Sequence, residues 1–359
     1  MSTKEEKIKN FDPSQPGLAD ASIYGLPFNA EESDIIIIPV PWEVTVSYGA
    51  GASDGPAAIF DASFQVDLLH QDFPELWKLG IFMDEAPKEW KENSDTYKAL
   101  AQPIIEALED GQDIAKIPAL KTDLDTINAA SDQLNNSLKK VVLKWLDKGK
   151  KVILLGGDHS TPLGYYQALA TKHKDFGILH FDAHMDLRIA YEGFTYSHAS
   201  IMYNAVQMPE ISKLVQVGIR DFCEEEVAVA LASDKIHVFT DKDLKKQQFE
   251  GSTWKEQVDK MIALLPDKVA ISFDIDALYR WYCPNTGTPV PGGLSYEQAQ
   301  YMLTALANSD KNIIGIDLVE VAPGDDEWDG NVGARLLFHM CGVLAKNNGL
   351  KTGVPIDFD

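Results

Sequence analysis

The sequence is poor in cysteine, in long apolar runs and in positive charge. Only three cysteines occur in 359 residues, and they are Cys223, Cys283 and Cys341. They are far apart and show no CxxC spacing, so we do not expect a disulfide framework, and a cytoplasmic location is predicted. The N-terminus lacks the apolar core of a signal peptide. No segment approaches the ~18 apolar residues of a membrane span.

The charge balance excludes two classes of partner. The formal net charge is −23, so a basic patch for nucleic acid is not expected and an anionic membrane surface would repel the chain. The acidity is explained most simply by solubility, and attraction of a cationic substrate is the alternative. Hydrophobic residues make up 45% of the chain, which is enough for a full core.

Short apolar runs alternate with helical patterns along most of the chain. Strands are predicted at 35–38, 151–155, 177–181, 214–218, 236–239, 269–273 and 312–316. This alternation predicts an α/β fold with one doubly wound parallel sheet and helices on both faces. Helices are predicted from Pro56, near 95–109, over 123–148 and from about Pro162. Residues 34–359 are predicted to form one domain, and 1–33 an extended N-terminal extension that lies over the body or a neighbouring subunit.

Polar motifs follow four of the predicted strands directly. They are GGDHS at 156–160, DAHMD at 182–186, DID at 274–276 and DLVE at 317–320. In open α/β sheets, ligands bind beyond the carboxyl ends of the strands. Side chains at alternate positions of an extended segment point the same way. We therefore expect the acidic and histidine side chains of these motifs to converge on one site.

Such a convergence suits divalent cations. Six side chains are candidate metal ligands, namely His159, Asp182, His184, Asp186, Asp274 and Asp276. Four carboxylates in one place could not all stay ionised without compensation. Carboxylate and imidazole ligands suit Mn²⁺, with Ni²⁺, Co²⁺ or Fe²⁺ as alternatives. Two cations about 3.5–4 Å apart can share one water and lower its pKa.

Each motif alone has a plain structural explanation. DxD is a common turn at the end of a strand, and GGDH can be a strand-to-helix turn in which Asp158 or Ser160 caps the helix. Together, however, GGDHS, FDAHMD (181–186), SFDID (272–276), NTGTPVPGGLS (285–295) and DLVEVAP (317–323) resemble the signatures of the ureohydrolases. That family contains arginases, agmatinases and formimidoylglutamases. The resemblance spans roughly residues 34–345.

The resemblance implies a function and a role for single residues. The family fold is a three-layer sandwich, its members form trimers or hexamers, and two metal ions bind the six ligands named above. Asp186 also counts among the catalytic residues, as do His198, which shuttles a proton to the leaving amine, and Glu320, which pairs with the guanidinium. Thr288 belongs to the substrate-binding loop beside the metals. A histidine near its ordinary pKa of about 6.5 is suited to that proton transfer.

Three departures from the family pattern bear on the substrate. Tyr279-Arg280 stands where Asp-Pro is usual, Asn285 replaces a glycine, and Ala199 follows His198. Asn tolerates left-handed backbone, so the loop at 285 should survive. The bulky Tyr279–Tyr282 stretch would narrow the pocket and favour short guanidino compounds, down to guanidine. Arg280 would pair with a substrate carboxylate or form a surface ion pair.

We therefore predict a hydrolase that cleaves the C–N bond of a guanidino compound and releases urea with an amine or ammonia. The substrate would be agmatine-like, a short guanidino acid or guanidine. A formimidoylglutamase that releases formamide is the first alternative. A deacetylase of the same fold type and a non-catalytic subunit of a ureohydrolase assembly are the others.

Overall fold

The computed structural model describes residues 3–15, 17 and 21–358. Within these residues, eight parallel strands form one sheet in the order β2-β1-β3-β8-β7-β4-β5-β6. The strands are β1 (Ile35–Val40), β2 (Ile81–Met83), β3 (Lys151–Gly156), β4 (Phe176–Phe181), β5 (Ile211–Ile219), β6 (Ile236–Thr240), β7 (Lys268–Asp274) and β8 (Asn312–Val319). The predicted fold class is confirmed.

Eleven α-helices of the described residues accompany the sheet. They are α1 (Lys4–Asn10), α2 (Gly55–Ser63), α3 (Lys88–Glu109), α4 (Pro118–Leu146), α5 (Leu163–Lys172), α6 (Ile201–Val206), α7 (Glu224–Leu231), α8 (Asp241–Phe249), α9 (Trp254–Ala263), α10 (Tyr296–Ala307) and α11 (Trp328–Asn347). The four helices whose positions were predicted from sequence correspond to α2, α3, α4 and α5.

Two hydrophobic cores lie on opposite faces of the sheet. In β1, Ile35 and Ile37 contribute to one core, together with side chains of α2, α9, α10 and α11. Ile36 and Ile38 contribute to the other, together with side chains of α3, α4, α5 and α6. The unbroken isoleucine run therefore reflects a strand that is buried on both sides, as expected for a parallel sheet.

Three features of the fold differ from the sequence-based expectation. The strand β2 was not predicted, and β8 continues to Val319 instead of ending at residue 316. The N-terminal segment is not extended throughout, because it contains the helix α1. This helix contacts the body of the protein, since Lys4 Nζ lies 2.9 Å from Asp34 Oδ2. Ile23 and Leu26 are buried in the core. The domain boundary at residue 34 stays a prediction.

Nowhere in the part of the chain that the structure describes is a helix both long enough and apolar enough to span a bilayer.

Candidate active site

The four predicted motifs meet at one edge of the sheet. They lie at the carboxyl ends of β3, β8, β7 and β4, which are neighbours in the middle of the sheet. Because all strands are parallel, their carboxyl ends lie on the same side. The convergence of these motifs follows from the strand order.

The turn after β3 brings its backbone very close to the loop after β1. A Cβ at Gly157 would lie 2.1 Å from the carbonyl oxygen of Trp42. The amide of Asp158 donates a hydrogen bond to that same oxygen at 2.9 Å. Glycine is therefore required here for steric reasons, and the tight turn directs His159 into the site.

The first cluster of possible ligands surrounds His159. Its Nδ1 atom lies 3.0 Å from Asp182 Oδ2, 3.1 Å from Asp186 Oδ2 and 3.2 Å from Asp274 Oδ2. All four side chains are buried. A buried nitrogen thus faces three carboxylate oxygens, as it would in a metal-binding site.

A second cluster adjoins the first through Asp182. The Nδ1 atom of His184 lies 3.1 Å from Asp276 Oδ2 and 3.3 Å from Asp182 Oδ1. The other oxygen of Asp276 accepts a hydrogen bond from the amide of Ala183 at 2.9 Å. Each oxygen of Asp182 therefore faces a different cluster. The six predicted ligands all lie in these two clusters.

The hydrogen bonds behind His159 determine its tautomer. The hydroxyl of Ser272 donates to Asp317 Oδ1 at 2.8 Å, and Tyr166 donates to the other oxygen of Asp317 at 2.9 Å. Because the Ser272 proton is committed, the Nε2 atom of His159, 2.9 Å from Ser272 Oγ, must donate. The Nδ1 atom of a neutral His159 then presents a lone pair to three carboxylates. That arrangement fits a cation. Without one, burial disfavours the imidazolium, but Asp182, Asp186 and Asp274 outweigh that effect and raise the pKa of His159 well above its ordinary value, so that a proton would take the place of the cation.

These supporting residues belong to a polar row that crosses the sheet. Gln216, His180, Ser272 and Asp317 are paired in register across β5, β4, β7 and β8. All four are completely buried. His180 contacts Asp182 Oδ2 through Nε2 at 2.8 Å, and its Nδ1 atom lies 2.9 Å from the Gln216 amide. Through these hydrogen bonds, the row orients both His159 and Asp182.

In the protein alone, the ionisable side chains of the two clusters strongly shift one another's pKa values. Burial, followed by the charge of Asp182, raises the pKa of Asp186 to about 7. Burial and Asp276 also raise the pKa of Asp274. The pKa of Asp182 is lowered in spite of its burial, because His180, His159 and His184 lie beside it. Such divergence is typical of functional sites.

A cavity of about 230 Å³ opens onto the first cluster. Its lining includes the predicted residues Thr288, Glu320 and His198. Glu320 accepts a hydrogen bond from the amide of His159 at 2.8 Å through Oε1. Burial and the neighbouring Asp158 raise the pKa of Glu320. A cation beside this carboxylate would favour its ionised form.

His198 has a different proton affinity from the one expected. Burial, followed by the charges of His184 and His159, lowers the pKa of His198 to about 4. Its Nδ1 atom lies 3.4 Å from the hydroxyl of Thr45. The resting imidazole is therefore neutral near pH 7, and once protonated it is a strong acid.

Two of the cavity residues have a left-handed backbone, which is rare for non-glycine residues. Asp186 has φ of 53° and Glu320 has φ of 64°. The carbonyl of Asp186 accepts from the amides of Met202 and Tyr203, both at 3.1 Å, and that of Glu320 accepts from Thr286 Oγ1 at 2.9 Å. These hydrogen bonds hold a strained conformation that directs both carboxylates, as is frequent at functional sites.

Two predicted substrate residues lie apart from this cavity. Tyr279 stacks on Trp281 with ring centroids 4.4 Å apart, and Arg280 is exposed. Neither lines the cavity at the two clusters, so their role in substrate binding stays a prediction. Asn285 does not use the left-handed conformation that its replacement of glycine suggested. Instead its side chain donates to Asp329 Oδ2 at 2.8 Å.

Sequence reasoning missed several residues of the site. His180, Ser272 and Asp317 could have been found as polar residues inside otherwise apolar strands. Arg188 also lines the cavity, and its position two residues after Asp186 was the available signal. Thr45 and Ser47 reach the site from the loop after β1, and no motif in the sequence marks them.

The site and the fold together match one class of proteins. The profile described as the arginase family matches residues 33–342. The chain therefore belongs to the arginase family. The predicted hydrolase of C–N bonds in linear amidines is confirmed as its enzyme class.

Individual relatives are moderately similar. An N(1)-aminopropylagmatine ureohydrolase of Thermus thermophilus is 30% identical, over 90% of this chain and 93% of its own length. The agmatinase of Bacillus anthracis is 27% identical, over 83% of this chain and 87% of its own. The agmatine ureohydrolase structure of Thermoplasma volcanium is 21% identical with a TM-score of 0.67, and the alignment covers 95% of this chain and 98% of that one.

Proposed function

We propose that this protein hydrolyses a guanidino compound to urea and an amine or ammonia, with two divalent cations in the paired clusters. The observation that carries the proposal is the convergence of both clusters, Glu320 and His198 on one cavity. A structural metal site would need neither of the last two residues. Membership of the arginase family and the names of the relatives support the same reaction.

The donor set fits the proposed cations. His159 and Asp186 with Asp274 would hold one cation, and His184 with Asp276 the other, while Asp182 faces both. Oxygen and imidazole donors favour Mn²⁺, and Ni²⁺ is the alternative. When bound, the cations would neutralise the carboxylates and lower the pKa of the attacking water.

Glu320 would bind and orient the substrate. A guanidinium is a planar cation with paired N–H donors, which a carboxylate can accept side by side. The Oε1 atom of Glu320 is held by the amide of His159, so the carboxylate is fixed relative to a candidate ligand. This orientation would present the guanidinium carbon to the attacking water.

His198 would move the proton that the reaction requires. Attack on the guanidinium gives a tetrahedral carbon, and an amine leaves only after it gains a proton. A neutral His198 can accept a proton during attack on the ring nitrogen that does not face Thr45, and give it to the leaving nitrogen. The low pKa of His198 makes the second transfer favourable.

A substrate panel tests the proposal. We would load the protein with Mn²⁺, and separately with Ni²⁺, and measure urea from agmatine, arginine, guanidine and two guanidino acids. Urea from any of these supports the proposal. Formamide from formiminoglutamate, with no urea from the panel, would indicate the alternative amidine hydrolase. Stoichiometric metal without any product would indicate the non-catalytic subunit.

A further inference from the structure

One positively charged side chain lines the cavity beside the two clusters. Arg188 follows the metal-ligand candidate Asp186 by two residues and lines the same cavity as Glu320. Its side chain is 36% exposed, so the guanidinium is accessible to a molecule in the cavity. Its positive charge also contributes to the lowered pKa of His198, which is consistent with a position near the reacting groups.

The hydrogen-bond donors of Arg188 are unused. Its guanidinium donates no hydrogen bond to any residue that the structure describes, and its nearest carboxylate oxygen is Glu226 Oε2, 3.9 Å from Nε. Arg220 behaves differently, because its guanidinium donates to the carbonyls of Gly218 at 3.0 Å, Asp276 at 2.6 Å and Val290 at 3.1 Å. Arg220 therefore holds the site together, and Arg188 has its donors available.

Tyr191 and Glu226 are the near neighbours of the Arg188 guanidinium, and Glu226 lies 3.9 Å from Nε without accepting a hydrogen bond from it. The guanidinium carbon lies 4.6 Å from the ring centre of Tyr191, which is a cation–π contact. Glu226 is committed to the backbone, since its two oxygens accept from the amides of Leu187 at 3.1 Å and Cys223 at 2.9 Å. The Tyr191 contact restrains the guanidinium, and its N–H groups donate to no residue that the structure describes.

We propose that Arg188 determines specificity for the tail of the substrate, and that it selects guanidino compounds with a carboxylate over those with an ammonium group. The inference rests on the proposed function, because it assumes that the guanidinium end of the substrate binds at Glu320. Arg188 would pair with the carboxylate through two N–H groups. It would repel an ammonium group at the same position.

The other charges around the cavity do not reverse this preference. Glu320 is assigned to the guanidinium end. Glu226 also lines the cavity, 3.9 Å from Arg188 Nε, but it is buried and both its oxygens accept from backbone amides. Asp221 also lines the cavity, but it is exposed, so water screens its charge. The substrate tail therefore meets Arg188 as the one accessible cation among the residues that line the cavity. This assignment replaces Arg280, which lies outside the cavity, as the expected partner of a carboxylate.

The test uses two substrates of similar length whose tails have opposite charge. We would measure kcat/KM for 4-guanidinobutyrate and for agmatine with the Mn²⁺-loaded wild type and with the variants R188M, R188K and R188E. R188M should lower the acid-to-amine ratio of kcat/KM roughly tenfold to a hundredfold, because hydrogen bonds to charged groups contribute a net free energy that corresponds to this factor. The loss should fall on KM for the acid, with kcat little changed. R188K should recover part of the ratio, and R188E should favour agmatine.

A binding measurement without turnover separates the two proposals. The increase in thermal midpoint on adding 4-guanidinobutyrate should be lost in R188M and retained in R335M, which removes an exposed arginine of α11 outside the cavity. An unchanged acid-to-amine ratio in R188M and R188E, with urea still released, would overturn the role of Arg188 alone. Equal loss on both substrates would do the same. No urea from the wild type with any guanidino compound would overturn the proposed function instead.

Discussion

Replacement of Ser272 by alanine should weaken metal binding without touching a metal ligand. The hydroxyl of Ser272 lies between His159 Nε2 at 2.9 Å and Asp317 Oδ1 at 2.8 Å. The side chain is fully buried. Alanine removes both hydrogen bonds and leaves a buried donor on His159 and a buried acceptor on Asp317 without this partner.

The magnitude follows from the two groups that lose a partner. A buried polar group without its hydrogen bond costs roughly 1–3 kcal/mol. Asp317 keeps the hydroxyl of Tyr166 at 2.9 Å, so we place its cost at the lower end of that range. For His159, the loss frees the ring to rotate or to change tautomer. Loss of such an outer partner typically lowers metal affinity about 10- to 100-fold.

A second buried serine provides the matched control. Ser63 is also completely buried, and its hydroxyl accepts from the amide of Tyr24 at 2.9 Å and donates to the carbonyl of Phe60 at 2.6 Å. Ser63→Ala removes two hydrogen bonds of comparable kind, remote from the metal clusters. It should lower the free energy of unfolding by a similar amount and leave metal affinity unchanged.

The assays are Mn²⁺ competition against a chelator and urea denaturation of both variants. We expect Ser272→Ala to lose both affinity and stability, and Ser63→Ala to lose stability alone. If Ser272→Ala binds Mn²⁺ as tightly as the wild type does, the tautomer of His159 is not set by Ser272. The polar row would then not position His159 for metal binding.

Three further predictions address other residues. His198→Asn should lower kcat about 10²- to 10⁴-fold with metal content unchanged, measured by urea release and metal analysis. Glu320→Gln keeps the shape but removes the charge, so KM should rise roughly tenfold to a hundredfold while Mn²⁺ stays bound. Burial lowers the pKa of His339 from 6.5 to about 3. The unfolded chain, in which this histidine has its ordinary pKa, therefore binds a proton more readily than the folded protein does. As the pH falls from 7 to 5, this residue should lower the free energy of unfolding by about 2 kcal/mol. His339→Gln should flatten that dependence in urea denaturation.

Each of these three can fail independently. Full turnover by His198→Asn would assign the proton transfer to another group. A lower metal content in Glu320→Gln would indicate a ligand and not a substrate carboxylate. An unchanged pH dependence in His339→Gln would mean that His339 keeps its ordinary pKa in the folded state.

The part of the site that could be predicted from the sequence is the part encoded locally. Asp182, His184 and Asp186 stand at alternate positions after a strand, and their shared direction follows from strand geometry. Their encounter with Asp274 and His159 needed only the rule that parallel strands end at the same edge. The strands themselves were visible because runs such as 35–38 are buried on both faces.

The missed features depend on contacts between distant segments. The strand β2 has three residues, which is too short for a periodic signal. Whether Arg188 or Arg280 faces the cavity is decided by loop conformation, and both are single arginines on loops with no repeating pattern. Asn285 replaced a glycine without a left-handed backbone, because its side chain found Asp329 on α11, which lies 44 positions away in the sequence.

At the end of β8, a polar residue that interrupts an apolar strand indicates a functional position. The predicted strand ended at residue 316, where the apolar run meets Asp317. The strand nevertheless continues to Val319, and burial raises the pKa of Asp317 to about 6. The cost of this burial is offset only because Ser272 and Tyr166 donate to both oxygens. Ser272 and Asp317 are paired in register, and Asp274 and Val319 follow them by two residues on the same side of the sheet. A polar residue that interrupts a buried strand two positions before its end is therefore positioned to orient whatever binds at that end. His180 is placed similarly, one residue before the end of β4 and two residues before Asp182.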